Sequence, residues 1–201
     1  MDSFISLTAD GRVTAFNGHV DLGTGIRTAL AQIVADEICV PFEHVTMILG
    51  DTQRTPDQGP TIASATIQVT SVPLRQAAAQ VRHMLTALAA KAFELPADQL
   101  TAAAGQVFVT KHPGRSLSYA QLASGQNLHV TLDKNVPLNG EQQGRYVGRA
   151  VARSIFRPRS AGADLRARPA LARHAAWPGG APALRRRRQQ RAAGRRPVVG
   201  G

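Results

Sequence analysis

The stretch that decides the fold is residues 4–40, FISLTADGRVTAFNGHVDLGTGIRTALAQIVADEICV. Its first half alternates apolar and polar residues on either side of Asp10 and Gly11, a strong tight-turn signal, and this pattern predicts a β-hairpin. From Ile26 onward apolar residues recur at helical spacing, which predicts a helix that ends before Pro41. The short segment between these two elements is rich in glycine, so we expect a strand to lead through a glycine loop into the amino end of a helix.

The remainder of the first 153 residues mixes helices and strands. The segment HVTMILGD, which begins at His44, predicts a strand, and residues 63–93 predict a second helical region. Pro73 interrupts this region, and since a proline inside a helix removes a hydrogen bond and clashes with the preceding turn, we expect a break near Ser71. Beyond Pro96 we expect short strands, a serine-capped short helix and an extended connector. There is no regular βαβ repeat, so the predicted fold class is α+β, with hairpins in a mixed sheet and two main helices.

The distribution of charge divides the chain near Arg153. Residues 1–153 hold 12 Lys and Arg against 12 Asp and Glu, whereas residues 154–201 hold 12 arginines, no lysine and a single acid, Asp164. The second part has no apolar periodicity and is rich in Pro and Gly, which predicts disorder. We therefore predict an α+β segment over 1–95, a smaller α+β extension and connector over 96–153, and a disordered arginine-rich tail over 154–201.

Several site classes are not expected. No stretch approaches the roughly 18 apolar residues that indicate a membrane span. The first residues lack the features of a signal peptide, so the cytoplasm is the default expectation. The single cysteine, Cys39, lies in an apolar helical pattern and is interpreted as a small core residue. The histidines are scattered without the spacing of a zinc site.

Two short motifs have the composition of a ligand site. Gly23, Thr24 and Gly25 precede a helix, where backbone N–H groups and the positive end of the helix dipole favour a phosphate or another anion. The alternative is a plain glycine turn that admits the helix. The second motif follows a polar loop and offers hydroxyl groups that either donate to a phosphate or a ring amide, or cap the following helix. Its residues are Ala63, Ser64 and Thr66.

Three stretches, taken in order, resemble a known family. These are VDLGTGIRTALAQIVADE, GDTQRTPDQGPTIASATIQ and VPLRQAAAQVRHML, and over residues 3–153 the chain is similar to the large, molybdopterin-binding subunit of the xanthine dehydrogenase and aldehyde oxidase family. The similarity is greatest to the bacterial branch that includes nicotinate dehydrogenase and isoquinoline oxidoreductase. Thr24 stands where the wider family usually has glutamine. The resemblance implies that six residues help to hold the pterin and its nucleotide: Gly23, Thr24, Gly25, Ala63, Ser64 and Thr66.

The resemblance also implies a function. In the intact family, a molybdenum centre hydroxylates a small-molecule substrate, an aldehyde or an N-heterocycle, with oxygen from water, and electrons leave through a 2Fe–2S small subunit. The implied cofactor is molybdopterin in its cytosine dinucleotide form. The catalytic glutamate of the family is expected beyond residue 201, and Glu37 and Glu43 are expected to be ordinary solvated charges. We expect the chain to be an amino-terminal fragment that is inert and retains little or no cofactor alone. Relatives occur in the cytoplasm and exported, which leaves the compartment open.

The tail is interpreted as the product of a frameshift. Residues 154–160 can be encoded by the codons TCG ATA TTC CGG CCA AGG TC, and this string, read from its third base, encodes Asp-Ile-Pro-Ala-Lys, which resembles the continuation of the family. Residues 168–187 can be back-translated in the same way with a different shift. The alternative is a small α+β binding module with a nucleic-acid-binding tail, which four adjacent arginines favour. The absence of lysine disfavours it, because lysine serves equally well as a point charge for phosphate.

Overall fold

The hairpin predicted at the amino end is present. In the computed structural model, which describes residues 4–124, 131–140 and 144–151, β1 (Ile5–Leu7) and β2 (Val13–Asn17) are antiparallel neighbours. Gly11 forms the turn at a φ of 78°, a left-handed value that glycine adopts without a steric penalty. The alternating side chains of β2 place Val13 and Ala15 in the core.

The first main helix connects two parallel strands. α1 (Ile26–Ile38) follows the glycine loop, and β3 (Val45–Leu49) follows Pro41 and a short 3-10 turn. β3 pairs in parallel with β2, which gives the strand order β1-β2-β3. The carboxyl ends of β2 and β3 therefore meet at one edge of the sheet, and the loops that start at Gly18 and Gly50 leave from that edge. In sheets with parallel strands this is the edge where ligands bind.

The second helical region is continuous, so the predicted break near Ser71 is wrong. A π-helical turn, Thr66–Thr70, passes directly into α2 (Ser71–Phe93). Pro73 lies in the first turn of α2, where a missing N–H is best tolerated. The Ser71 hydroxyl donates to the carbonyl of Ile67 at 2.6 Å, and the Ser71 N–H donates to the carbonyl of Thr66. A change from π to α geometry thus accommodates the proline without interrupting the helix.

A second antiparallel sheet follows α2. It consists of β4 (Leu100–Ala103), β5 (Gln106–Val109) and β6 (His112–Ser118), and α3 (Tyr119–Ala123) comes directly after it. Ser118 caps α3 through a capping box, so the predicted serine-capped helix is confirmed. Local pattern does not indicate β6, because Pro113 and Gly114 are uncommon inside strands.

One apolar core joins both main helices and both sheets, and the predicted α+β class with two main helices is confirmed. The core includes Leu30 and Val34 of α1, Leu74 and Leu85 of α2, and Val107 of β5. Each of these side chains is at most 3% exposed. In the described ranges no helix is long and apolar enough to cross a membrane.

The segment after α3 has no regular secondary structure where it is described. One of the short strands predicted beyond Pro96, over residues 127–133, lies partly outside the described residues, and 131–133 are not in a strand. Residues 134–140 and 144–151 of the predicted connector lie against the helices through polar contacts of Asn139 and Tyr146. The tail, 154–201, lies outside the described residues, and the boundaries at 95 and 153 stay predictions.

Candidate functional site

The two predicted ligand-binding motifs meet at one cavity. Thr24 of the first motif and Ala63, Ser64 and Thr66 of the second line a cavity of about 390 Å³. A volume of this size is within the range of small-molecule sites. Gly23 and Gly25 adjoin Thr24 in the loop and do not themselves line the cavity. The fold thus brings together residues about 40 positions apart in the sequence, at the edge where β2 and β3 end.

The remaining lining of this cavity is mostly apolar and, within the described residues, carries no basic group. Leu22 is 74% exposed and Ile62 is 63% exposed, although large apolar side chains at a free surface are usually scattered singly. Their shared position around one concavity means that a ligand or a protein surface placed there would remove considerable apolar area from water. The other lining residues are Val20, Ile26, Thr61, Ile67 and Gln68.

The glycine loop already holds an anion, the carboxylate of Asp21. One carboxylate oxygen accepts the N–H groups of Gly23 at 3.0 Å and Gly25 at 3.1 Å, and the other accepts the N–H of Arg27 at 3.1 Å. Burial raises the pKa of Asp21, but these three N–H groups outweigh burial and hold the pKa below its ordinary value of 3.8. The donors at the amino end of α1 therefore serve the loop itself.

The outer face of this loop remains open. Thr24 is exposed, and a Cβ added at Gly23 would meet no atom within 4 Å. A ligand can therefore approach the loop from this side, where it meets the Thr24 side chain. Whether Gly23, Thr24 and Gly25 contact a cofactor stays a prediction.

The second motif has a strained backbone. Ala63 and Ser64 both adopt left-handed conformations, with φ of 51° and 58°, which residues with a Cβ rarely occupy. Strain of this kind is concentrated at ligand sites and switches. Ala65 returns to the right-handed region, and its N–H donates to the Ile62 carbonyl at 2.9 Å. Ser64 is exposed, and its hydroxyl has no partner among the described residues.

Thr66 is arranged differently from Ser64. It is 5% exposed, and its hydroxyl lies 2.7 Å from Nδ1 of His19, which is itself 1% exposed. No side chain caps the π-turn or α2, so the capping alternative for Ser64 and Thr66 is not realised. The sequence-based reasoning missed His19, although a polar residue directly after a strand that leads into a glycine loop is a recognisable signal for a site at that edge.

The expectation that Glu37 is a solvated charge is wrong. Glu37 is 1% exposed, and its carboxylate pairs with Arg75 at 3.0 Å and with Arg82 at 3.2 Å. The Asn139 N–H also donates to it at 2.6 Å. Packing of α1 against α2 places the two arginines beside the carboxylate, which helical periodicity within α1 cannot reveal. Glu43 is exposed, as expected.

Cys39 lies at the carboxyl end of α1 and is half-buried, so it is not a fully buried core residue. Its φ is 63°, and its N–H caps the helix by donating to the Asp36 carbonyl. Burial raises the pKa of the thiol, and the opposing hydrogen bond from Asn139 does not outweigh it. The thiol is therefore poorly suited to act as a nucleophile. Within the described parts of the chain, no group of three or more His, Cys, Asp and Glu residues is arranged to hold a metal ion.

Comparison with protein families identifies the fold that carries this cavity. A model of the molybdopterin cofactor-binding domain matches residues 2–157, which include both motifs and all six predicted site residues. The chain belongs to this family. The match ends close to Arg153, where the charge distribution of the sequence changes.

Two curated relatives are similar to this chain over most of its α+β part. A nicotinate dehydrogenase subunit from Pseudomonas putida is 48% identical over 150 residues, which cover 75% of this chain and 12% of the relative. The beta subunit of isoquinoline 1-oxidoreductase from Brevundimonas diminuta is 30% identical over 129 residues, which cover 60% of this chain and 16% of the relative. The chain thus spans a small fraction of the length of each.

Two solved structures have a fold similar to that of this chain. Quinoline 2-oxidoreductase from Pseudomonas putida 86 matches with a TM-score of 0.51 and 28% identity, over 59% of this chain and 15% of that one. CO dehydrogenase from Oligotropha carboxidovorans matches with a TM-score of 0.54 and 24% identity, over the same shares of the two chains. At this identity the second match shows a common fold only.

Proposed function

We propose that the residues lining the cavity form one side of a molybdopterin site. We further propose that this site belongs to the large subunit of a molybdenum hydroxylase, which oxidises an aldehyde or an N-heterocycle. The observation that carries the proposal is the convergence of Thr24, Ala63, Ser64 and Thr66 on a single cavity, in a chain of the molybdopterin-binding family. Nothing in the sequence spacing alone requires the two motifs to meet. The names of the relatives, which are dehydrogenases and oxidoreductases, support the reaction class.

The residues of the cavity fit part of such a cofactor. The exposed apolar side chains of Leu22 and Ile62 can cover a flat ring system, and the hydroxyls of Thr24 and Ser64 can bind its polar edge or its phosphates. Because the described lining has no Lys or Arg, a phosphate here would be held by neutral donors. When bound, the molybdenum cofactor supplies the redox chemistry of the reaction. The part of this chain is to hold and orient the cofactor and to exclude water from one side.

The form of the cofactor and the partner subunit are finer proposals. We propose the cytosine dinucleotide form and a 2Fe–2S small subunit, as in the intact family. The names of the two relatives are those of subunits, which supports a complex. The alternative, a stand-alone binding module with a nucleic-acid-binding tail, is not favoured, because the family match covers the whole α+β part of the chain.

The direct test is a chimera with the Pseudomonas putida relative. Residues 1–151 replace the matching segment of its nicotinate dehydrogenase subunit, and molybdenum and pterin are measured per purified protein. We expect cofactor to be retained, and we expect Ser64→Ala or Thr24→Ala to lower the cofactor content of the chimera at limiting supply. Losing one hydrogen bond to a charged group weakens binding by about tenfold. Thr46→Ala, at an exposed position in β3, is the matched control and should change nothing. A chimera that folds and assembles but carries no pterin would refute the proposal.

The 201-residue chain tested alone gives the complementary result. Because it spans 12% of the length of one relative, most of the surface that encloses a cofactor in a site of this kind is supplied elsewhere. We expect the purified chain, made in a host that synthesises the molybdenum cofactor, to contain far less than one molybdenum per chain and to have no hydroxylase activity. Stoichiometric molybdenum would show that the cavity is a complete site.

A further inference from the structure

A network of buried polar groups lies directly beneath the cavity. Asn17 and His19, at the end of β2, are 0% and 1% exposed. The Asn17 side-chain amide donates to the Thr70 hydroxyl at 3.0 Å, and the Thr70 hydroxyl donates to the Thr66 carbonyl at 3.0 Å. The Asn17 side-chain oxygen accepts the N–H of His19 at 3.1 Å. These bonds hold the π-turn against the end of β2.

The contacts of His19 determine which of its ring nitrogens carries the proton. Nε2 lies 3.2 Å from the backbone carbonyl of Gln58, which can only accept, so Nε2 bears the hydrogen. The neutral ring then has a bare Nδ1, which accepts the hydroxyl proton of Thr66 at 2.7 Å.

This arrangement separates the roles of the two hydroxyl residues in the second motif. A threonine hydroxyl has one proton, and that of Thr66 is committed to His19. Ser64 lines the same cavity and is exposed, and its hydroxyl has no hydrogen-bond partner within the described residues. Ser64 is therefore the residue of this motif that can donate a hydroxyl proton to an acceptor group of a ligand.

We infer that His19 is a positioning residue for the side of the cavity that the second motif forms, which is Ala63, Ser64 and Thr66. Its ring bonds to Gln58 on one side and to Thr66 on the other, and these two residues flank the loop that carries the strained pair Ala63 and Ser64. The side-chain oxygen of Gln58 also accepts the N–H of Gly18 at 2.8 Å, which ties the same loop to the residue before His19. His19 thereby fixes the distance between the two ends of this loop, at Gln58 and Thr66. It also takes up the hydroxyl proton of Thr66, so that Ser64 is the donor toward the ligand. The identity of that ligand rests on the proposed function, whereas the tautomer and this distance do not.

The test uses the full 201-residue chain labelled with ¹⁵N-histidine. Long-range proton–nitrogen spectra should show His19 with a protonated Nε2 and a bare Nδ1. Thr66→Val keeps the shape of the side chain but removes the donor, so the Nδ1 signal should move and the amides of residues 61–65 should exchange about tenfold faster, equivalent to about 1.4 kcal/mol. Thr66→Ser restores the donor and should restore both readouts. A role in packing alone would not move the nitrogen signal.

The outcomes are decisive in both directions. A bare Nε2 or a doubly protonated ring in the unchanged chain would overturn the inference, and this result does not depend on whether Thr66→Val folds. An unaltered Nδ1 signal in a folded Thr66→Val chain would overturn it too. In the chimera, Ser64→Ala should lower cofactor content while the exposed control Thr46→Ala leaves it unchanged, and an unchanged content in Ser64→Ala contradicts the role assigned to Ser64. A chimera without any cofactor refutes the proposed function, while the nitrogen spectra still decide the position of the proton.

Discussion

The two ends of α1 use the same interaction for different purposes. At the amino end, Asp21 accepts three backbone N–H groups of its own loop, and the cavity lies beside this loop. At the carboxyl end, Asp36 accepts the N–H groups of Arg145, Tyr146 and Val147 at distances of 2.8 to 3.2 Å. These three residues come from a segment more than 100 positions later.

The difference lies in what each arrangement leaves exposed. Around Asp36 and Glu37, carboxylates are bonded to arginines and to backbone N–H groups, and the extended segment lies across them. Around Asp21, the carboxylate shapes a loop whose outer face is open, next to exposed apolar side chains and to the Ser64 hydroxyl, which no described residue contacts through a hydrogen bond. A carboxylate that gathers N–H groups is thus not itself a sign of a ligand site. The exposed, unpartnered groups beside it are the better indicator.

The largest loss of stability is expected at the carboxyl end of α1, the enclosed end, where the extended segment covers Asp36 and Glu37. Glu37→Gln removes the charge that pairs with Arg75 and Arg82, and the Arg82 side chain is 15% exposed. Since breaking a buried ion pair leaves an uncompensated charge, the free energy of unfolding should fall by about 3 kcal/mol in urea titrations. Glu43→Gln, the same change at an exposed glutamate, should alter it by less than about 0.5 kcal/mol. Equal effects would show that the enclosed end is not formed in solution.

A smaller loss of stability is expected beside the amino end of α1, the open end, at the glycine around which its loops are packed most closely. A Cβ at Gly18 would lie 2.2 Å from the carbonyl oxygen of Pro56 and 3.2 Å from the N of Gln58, both backbone atoms. Gly18→Ala should therefore displace this loop and lower the free energy of unfolding by about 2 kcal/mol. Gly114→Ala is the matched control, because a Cβ there meets no atom within 4 Å and the residue lies in β6. If Gly18→Ala left the free energy of unfolding unchanged, the loop would lie farther from β2 than described.

The Asp21 loop should show a characteristic dependence on pH. The pKa of Asp21 is lowered in the folded chain, so the unfolded chain binds the proton more tightly. The stability that Asp21 contributes is therefore present above its ordinary pKa of 3.8 and is lost as pH falls through its folded-state value. At neutral pH, Asp21→Asn should cost about 1 kcal/mol, because an NH2 group replaces one of the two carboxylate oxygens that accept the three N–H groups of its loop. This difference between the two proteins should shrink as the pH falls below about 4.

The control for this measurement is Asp57→Asn. Asp57 is exposed and accepts a single N–H, that of Gly59 at 3.0 Å. Its substitution should change stability by less than about 0.5 kcal/mol at neutral pH. A difference between wild type and Asp21→Asn that stays constant from neutral to acidic pH would contradict the bonding described for the loop.

Local patterns in the sequence predict much of the fold but not the partners of its polar groups. The turn at Asp10 and Gly11, the period of α1 and the cap at Ser118 are each determined by residues a few positions apart. The break expected at Pro73 fails because the outcome depends on where the helix begins. A proline is disruptive in the middle of a helix and tolerated in its first turn. The π-turn before it could not be predicted from propensity.

In the candidate site, too, the sequence predicted which residues lie there but not the partners of their polar groups. Its six residues were expected from family resemblance, and four of them line one cavity, but the sequence did not show that Asp21 occupies the donors of the glycine loop. Nor did it show that His19 takes the proton of Thr66 or that Glu37 is buried. Each of these depends on contacts between residues distant in sequence, which periodicity and spacing do not encode.

The smallest expected effect is a gain of stability at the open end. Ala63 has a φ of 51°, a conformation that costs a residue with a Cβ about 1 kcal/mol and glycine almost nothing. Ala63→Gly removes this cost but raises the entropy of the unfolded chain, so the free energy of unfolding should rise by about 0.5 kcal/mol. The matched control is Ala87→Gly, at an exposed position in α2, where the same change should lower it by about 1 kcal/mol. Urea titrations of both variants measure the two signs together. A loss at residue 63 equal to that at residue 87 would show that the loop beside the cavity is not left-handed in solution, and the strain attributed to the open end would then have no basis.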